Sequence, residues 1–471
     1  MTRYLSAAFL LFLLAGRADA QAGVTTQTGS LPDGATYLIE VPASWNHTLL
    51  LYSHGYTAPG SPNPARNVGD PFTRAFLLSQ GFALAGSSYA HTGWAIQEAL
   101  TDQIAVLDIF GATVGTPSRT IAWGHSLGGI ITAGLIQRHP HRFDAALPMC
   151  GVLSGGVGTW NQALDQAFVF QTLIAPQAQV VHITNPLANL GAAEQALAIA
   201  QGTPEGRARI ALSAAMGDTP GWFNPAAPEP ARDDFAARQA NQFLWAQQVT
   251  FPFAFLLRAE LEFRAGGNPS WNTGVNYRRQ LERSTGREVV AALYRESGLD
   301  LEADLRTLRD APRIAPDWAA VDYLERNIVF DGEIHVPVLT LHTDGDGLVT
   351  PQNETAYANA VREAGNDRRL RQTFVHRAGH CTFTPAETIA ALQTLIARLD
   401  TGMWAGLKPE DLNTAALRLG AAFNVIAAGG ALIHTDPAFF RHLPGPFLRP
   451  FDAVSDEDHG RRDERHRVAA E

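Results

Sequence analysis

Lysine is almost missing from this chain: Lys408 is the only one, and arginine carries the remaining basic charge. Acidic residues are in excess, for a net charge of −10 at pH 7. Without a basic stripe there is no footprint for a phosphate backbone, which excludes an electrostatic nucleic-acid surface. No G-x-x-x-x-G-K-[ST] loop is present to cradle nucleotide phosphates. The two cysteines, Cys150 and Cys381, are too few for a disulfide-dense scaffold, though in an oxidising compartment they could pair. They are also too few for a cysteine-rich zinc site, and no H-E-x-x-H occurs, so no metal is expected. No apolar run reaches the ~20 residues needed to span a bilayer. The stretch 415–433 comes nearest, but Arg418 and Asn424 interrupt it, so it reads as a packed helix and not a membrane anchor.

The N-terminus speaks to location. Arg3 precedes a short apolar stretch, Leu5 to Ala15, followed by Ala18-Asp19-Ala20, an A-x-A cleavage site. These are the parts of an export signal over 1–20; the alternative is a buried N-terminal helix. No cysteine follows to take a lipid, so the mature chain is expected to start near Gln21 and to be periplasmic or secreted.

With 46% hydrophobic residues in 471, the chain can bury a large core. Gly23 to Trp45 alternates polar and apolar residues around Pro32-Asp33-Gly34, as a β-hairpin does. Apolar runs at 47–53, 82–88, 119–123 and 143–149 read as buried strands, with helical periodicity at 72–79, 95–113 and 127–137 between them. That alternation predicts a mostly parallel sheet with helices on both faces. From 151 to 334 it stops: helical stretches, Pro and Gly breaks and many aromatics occur there, but no core strand. It resumes with strands at 336–342 and 371–376, each followed by a helix. The expected organisation is a core over 21–150 and 335–400, a helical insertion over 151–334, a helical extension over 401–451 and a disordered tail over 452–471.

Gly124-His125-Ser126-Leu127-Gly128 is a G-x-S-x-G pattern lying between a predicted strand and a predicted helix. In that setting Ser126 sits on a sharp turn with its hydroxyl exposed, and the flanking glycines relieve crowding. A serine hydroxyl is a weak nucleophile until an oriented base takes its proton. The strand at 336–342 leads into Asp344-Gly345-Asp346, and the strand at 371–376 leads into Gly379-His380. Serine, carboxylate and imidazole thus follow successive strands in the order Ser…Asp…His.

These features resemble the α/β-hydrolase superfamily, in its serine esterase and lipase branch, across about 30–150 and 335–400. The resemblance implies an α/β-hydrolase fold with a helical cap inserted after the sixth strand. It implies catalytic roles for Ser126, Asp346 and His380, since Asp346-Gly347-Leu348-Val349 matches the family's D-x-x-V; Asp344 is the competing acid. Oxyanion donors would be the amides of Leu127 and of Tyr56, because His54-Gly55-Tyr56-Thr57-Ala58 is similar to esterase H-G-x loops and to the G-Y-T-A loop of cutinase-like enzymes. Cys150 and Cys381 would both reach the C-terminal edge of the sheet and pair there.

Other histidines compete less well for a role. His125 packs beside the nucleophile or lines the pocket floor, His54 supports the oxyanion loop, His91 reads as a satisfied loop histidine with bordering the pocket as the alternative, and His342 and His376 are expected in the core. The cap should bring some of Trp160, Phe168, Trp245 and Trp271 to an apolar pocket. The activity implied is hydrolysis of a small-molecule or polymeric carboxylic ester without a cofactor. Amide or peptide cleavage uses the same groups, and an inactive binding module is the remaining alternative.

Overall fold

The computed structural model describes residues 23–452; the expected leader and all but the first residue of the expected tail lie outside the described residues. Nine strands form one sheet: β1 (Val24–Ser30), β2 (Thr36–Pro42), β3 (Thr48–Ser53), β4 (Ala83–Ser87), β5 (Arg119–His125), β6 (Ala145–Met149), β7 (Val338–Gly345), β8 (Leu370–Ala378) and, after an outlying hairpin of β9 (Val425–Ala428) and β10 (Ala431–His434), β11 (Phe439–Phe440). Their order is β1-β2-β4-β3-β5-β6-β7-β8-β11.

β1 and β2 form the antiparallel hairpin that the alternation predicts, in register from Val24↔Pro42 to Ser30↔Thr36. Asp33 shapes the turn by accepting the Ala35 amide at 3.1 Å. The central strands pair in parallel from β4 through β8. Every residue of β3 and β6 is buried, as expected of strands covered on both faces. Helices Ile96–Thr113 and Leu127–Arg138 seal one face, and Pro71–Ser79 with Pro385–Thr401 the other. Because parallel strands all point one way, the loops after β3, β5, β6, β7 and β8 gather along one edge.

Between β6 and β7 the chain leaves the sheet. From Gly155–Leu173 to Trp318–Arg326 it forms only helical elements and loops, with two apolar cores of their own.

The C-terminal region departs from expectation. Residues 415–433 are not one helix: Pro409–Arg418 ends there, and Gly420 turns with φ 90°. β9 and β10 then fold back around Gly429-Gly430, whose φ angles of 59° and 81° suit a tight turn. A glycine pair between two apolar segments makes a hairpin where hydrophobicity alone suggests a helix. β11 adds antiparallel to β8, Phe439 opposite Val375, and the remaining residues return toward the cap. His376 also differs from the core position expected of it: it points outward from β8 and is exposed. Period-two alternation turns it away from buried Val375.

Candidate active site

Ser126 sits on the turn between β5 and helix Leu127–Arg138 with φ 59° and ψ −121°, a conformation non-glycine residues rarely adopt. Tight packing of the strand ends holds it there. A side chain at Gly124 or Gly128 would collide with the Ser53 carbonyl, and the Ser126 amide donates to Met149 O at 3.0 Å. The turn therefore projects the hydroxyl from the sheet edge.

His380 reaches that hydroxyl from the loop after β8. Its Nε2 lies 2.7 Å from Ser126 Oγ and its Nδ1 2.6 Å from Asp346 Oδ2. Thr343 fixes the loop by donating to Gly379 O, and the Gly379 amide donates to Gly345 O. Asp346 is fully buried, and its other oxygen accepts the Leu348 and Val349 amides at 2.9 and 3.0 Å. Asp344 instead turns away, binding His376 Nδ1 at 2.7 Å and the Arg377 amide. The structure thus brings Ser126, His380 and Asp346 into one chain of hydrogen bonds and leaves Asp344 out of it.

A disulfide joins Cys150, after β6, to Cys381, beside His380, with their Cα atoms 5.4 Å apart. It ties the imidazole loop to the strand neighbouring the serine.

The O-phthalyl amidase of Xanthobacter agilis is 32% identical to this chain over 426 residues, covering 83% of the chain and 91% of the amidase. The chain belongs to the α/β-hydrolase superfamily. A prolyl oligopeptidase family model matches residues 80–157 of this hydrolase, around the serine. Among solved structures, the rice cell wall degrading esterase LipA from Xanthomonas oryzae is 15% identical, with 80% of this chain and 89% of that one covered and a TM-score of 0.34. Feruloyl esterase B from Aspergillus oryzae is 11% identical, with 88% and 85% covered and a TM-score of 0.41. The chain is a serine hydrolase.

A cleft opens over Ser126 between the sheet edge and the cap. Tyr56, Trp94, Trp160, Phe253 and Phe447 give it aromatic walls, and among the described residues no Asp, Glu, His, Lys or Arg lines it. Trp160 meets the cleft as expected, packed edge-on against Trp94 at 5.4 Å. Phe168 does not, for it stacks on Tyr277 within a cap core. Eight residues past Trp160, the helix has run ~12 Å farther from the serine. Trp271 packs on Trp318 and Phe451, and Trp245 lies behind Gly347, its indole donating to Trp222 O at 2.9 Å.

His125 also falls outside the cleft lining. Its ring meets Tyr52, Trp123 and Phe383, and Nδ1 lies 3.2 Å from the Tyr52 hydroxyl. Burial, with help from His380, pulls it down to about 4, so it stays neutral at neutral pH. His54 is likewise held near 4 by burial, bridging Gly55 O and Ser88 O and stacking on Tyr89, which fits the loop-supporting place expected of it. His91 is exposed and lies 3.2 Å from Glu98 Oε1.

Sequence reasoning missed the polar side of the cleft. Thr159, Gln162, Ala163 and Gln166 lie at i, i+3, i+4 and i+7 along helix Gly155–Leu173, one face of it. That polar stripe in an apolar helix was the available signal. Thr250, Phe253 and Ala254 come from two π-helical stretches, Ala246–Thr250 and Phe253–Leu257, widenings that often mark functional sites. Phe447 arrives from the C-terminal segment, which Arg449 pins to buried Asp165 at 2.7 Å.

Proposed function

We propose that this serine hydrolase cleaves a carboxylic ester of an aromatic acid through an acyl-enzyme on Ser126. The observation that carries the reading is the unbroken hydrogen-bond chain Ser126–His380–Asp346 beneath an aromatic cleft. His380 Nε2 takes the Ser126 proton as Oγ bonds to the acyl carbon, while Asp346 holds Nδ1–H and balances the imidazolium. The carbonyl oxygen becomes an oxyanion that the Leu127 and Tyr56 amides receive. Among the described residues neither amide donates to another protein group, which leaves both free for this task. The imidazolium returns its proton to the leaving alcohol, and a water, activated by the same nitrogen, releases the acid and regenerates Ser126.

A second reading, an amide in place of the ester, is favoured by the amidase relative. The two differ in the leaving group, since an amine must be protonated before it departs. Matched p-nitrophenyl benzoate and benzoyl p-nitroanilide, with Ser126→Ala and a fluorophosphonate probe as controls, test both. We expect phosphonylation of Ser126 and loss of turnover in the variant. Turnover by Ser126→Ala at the wild-type rate would overturn the reading.

Export belongs to the same proposal. The disulfide supports an oxidising compartment, and no helix among the described residues is long and apolar enough to cross a membrane. N-terminal sequencing of protein made in a bacterial host should begin at Gln21; a chain retaining Met1 in the periplasm argues against the leader.

A further inference from the structure

Behind Asp346 lies a second layer of buried polar groups that the proposed reaction does not use. His342, on β7, is fully buried. Its Nδ1 is 3.0 Å from Glu354 Oε1, its Nε2 is 2.8 Å from Val349 O, and the same Nε2 is 3.8 Å from Asp346 Oδ2. Glu354, also fully buried, receives the Thr340 hydroxyl and the Gln372 amide nitrogen on its other oxygen, both at 2.6 Å. Both ring nitrogens face oxygen acceptors, as those of neutral His54 do, but here one acceptor belongs to a carboxylate that already receives two other donors, which favours a charged ring.

We propose that His342 is a positioning residue, held as an imidazolium between Glu354 and Asp346, whose charge sets the pH at which the Ser126–His380 pair becomes active. This rests on the reading of Ser126, His380 and Asp346 given above. Three donors converge on Glu354, and a carboxylate accepts all of them, whereas a carboxylic acid must turn one oxygen into a donor. The positive ring offsets one of two negative charges in a water-free region, where an uncompensated charge is costly. Burial opposes the charge on His342 most strongly, but the hydrogen bond and charge of Glu354, followed by Asp346, raise it above the ordinary imidazole value. The titratable groups facing His342 are Glu354 from helix Gln352–Glu363, Asp346 from its own loop and, through space, His442 from the C-terminal segment. Tyr357 lies beyond, near Glu354. The Val349 carbonyl ties the ring to the D-x-x-V turn, so His342 also fixes the place of the Asp346 carboxylate.

The test compares pH profiles of kcat/KM for wild type, His342→Asn and the double variant His342→Asn/Glu354→Gln. Removing the cation alone leaves surplus negative charge behind Asp346 and favours protonation of the base. The acidic limb should move up by about one pH unit. Removing both charges should bring the limb back toward its wild-type position, although kcat stays reduced. A limb unmoved in His342→Asn, or moved equally in the double variant, overturns the proposal, because a purely structural loss lowers the rate without this pattern. Should these variants fail to fold, ring nitrogen shifts of the wild type decide, with His342 assigned in uniformly 13C,15N-labelled protein by correlating its ring with its own backbone. Two protonated ring nitrogens at pH 7 support the charge; one imine-type nitrogen refutes it. Ser126→Ala and fluorophosphonate labelling run alongside, so failure of the serine reading is seen separately.

Discussion

Replacing both Cys150 and Cys381 by alanine gives the most direct measure of how the cap is tied to the core. The disulfide spans 231 residues of sequence and therefore encloses the whole cap, β7 and β8. In the chain-entropy treatment a closed loop of that length restricts the unfolded chain by about 5 kcal/mol, an upper figure because real cross-links usually deliver less. Both cysteines must go. A lone Cys381 would leave a thiol beside the base, its sulfur 3.3 Å from His380 Nε2. With a urea slope of roughly 4 kcal/mol/M for a chain this size, the midpoint should fall by about 1 M. The second consequence is local: with the His380 loop released from β6, kcat should fall while the protein remains folded at low urea. Equilibrium unfolding by circular dichroism, with kcat measured in the same buffers, reads both effects. Mass mapping without reductant should show the cross-linked peptide in wild type. An unchanged midpoint together with an unchanged kcat would show that the bond neither restrains the chain nor positions the loop.

Three further outcomes follow from the site and its surroundings. Asp346→Asn should cost about 10⁴-fold in kcat by leaving His380 without a charged partner, whereas Asp344→Asn, which binds His376, should stay near wild type; the reverse order in steady-state kinetics would reassign the acid. Because no charged side chain among the described residues lines the cleft, esters of neutral aromatic acids should exceed ortho-carboxylated ones by at least about tenfold in kcat/KM, since an unpaired carboxylate is costly to desolvate; equal values in a matched pair would refute this. Burial and the hydrogen bond with Asp33 push Asp102 up to about 8, so it is protonated in the fold where the unfolded chain would be ionised. Its contribution is present below about pH 4 and lost as pH rises through 8, so wild-type stability should decline from pH 5 to 9 relative to Asp102→Asn, and parallel curves would contradict it.

Much of the core was legible because its signals are local. β3 reads as a strand covered on both faces since every residue in it is apolar or small, and the sharp turn at Ser126 is announced by Gly124 and Gly128. The C-terminal region misled because hydrophobicity over 415–433 does not distinguish one helix from a helix followed by a hairpin. Only the Gly429-Gly430 pair made that distinction. His376 misled for a related reason: alternation along β8, beside the short edge strand β11, turns it outward from Val375, and which face is left uncovered there is a property of the assembled sheet. Among the aromatics, Trp160 and Phe168 share one helix and one residue class, yet only the cap's placement over the core puts the first at the cleft.

Taken alone, the order of residues determined the alternation of strands and helices, the exposed serine on its turn, and the separate strand ends that carry the carboxylate and the imidazole. These follow from side-chain size, periodicity and backbone permissiveness within a few neighbouring positions. Tertiary structure decided the rest. It chose Asp346 over Asp344, set His342 and Glu354 behind it, and brought Phe447 from the far end of the chain to the cleft wall. Such choices depend on which groups burial forces together across hundreds of residues, and no local pattern encodes that distance.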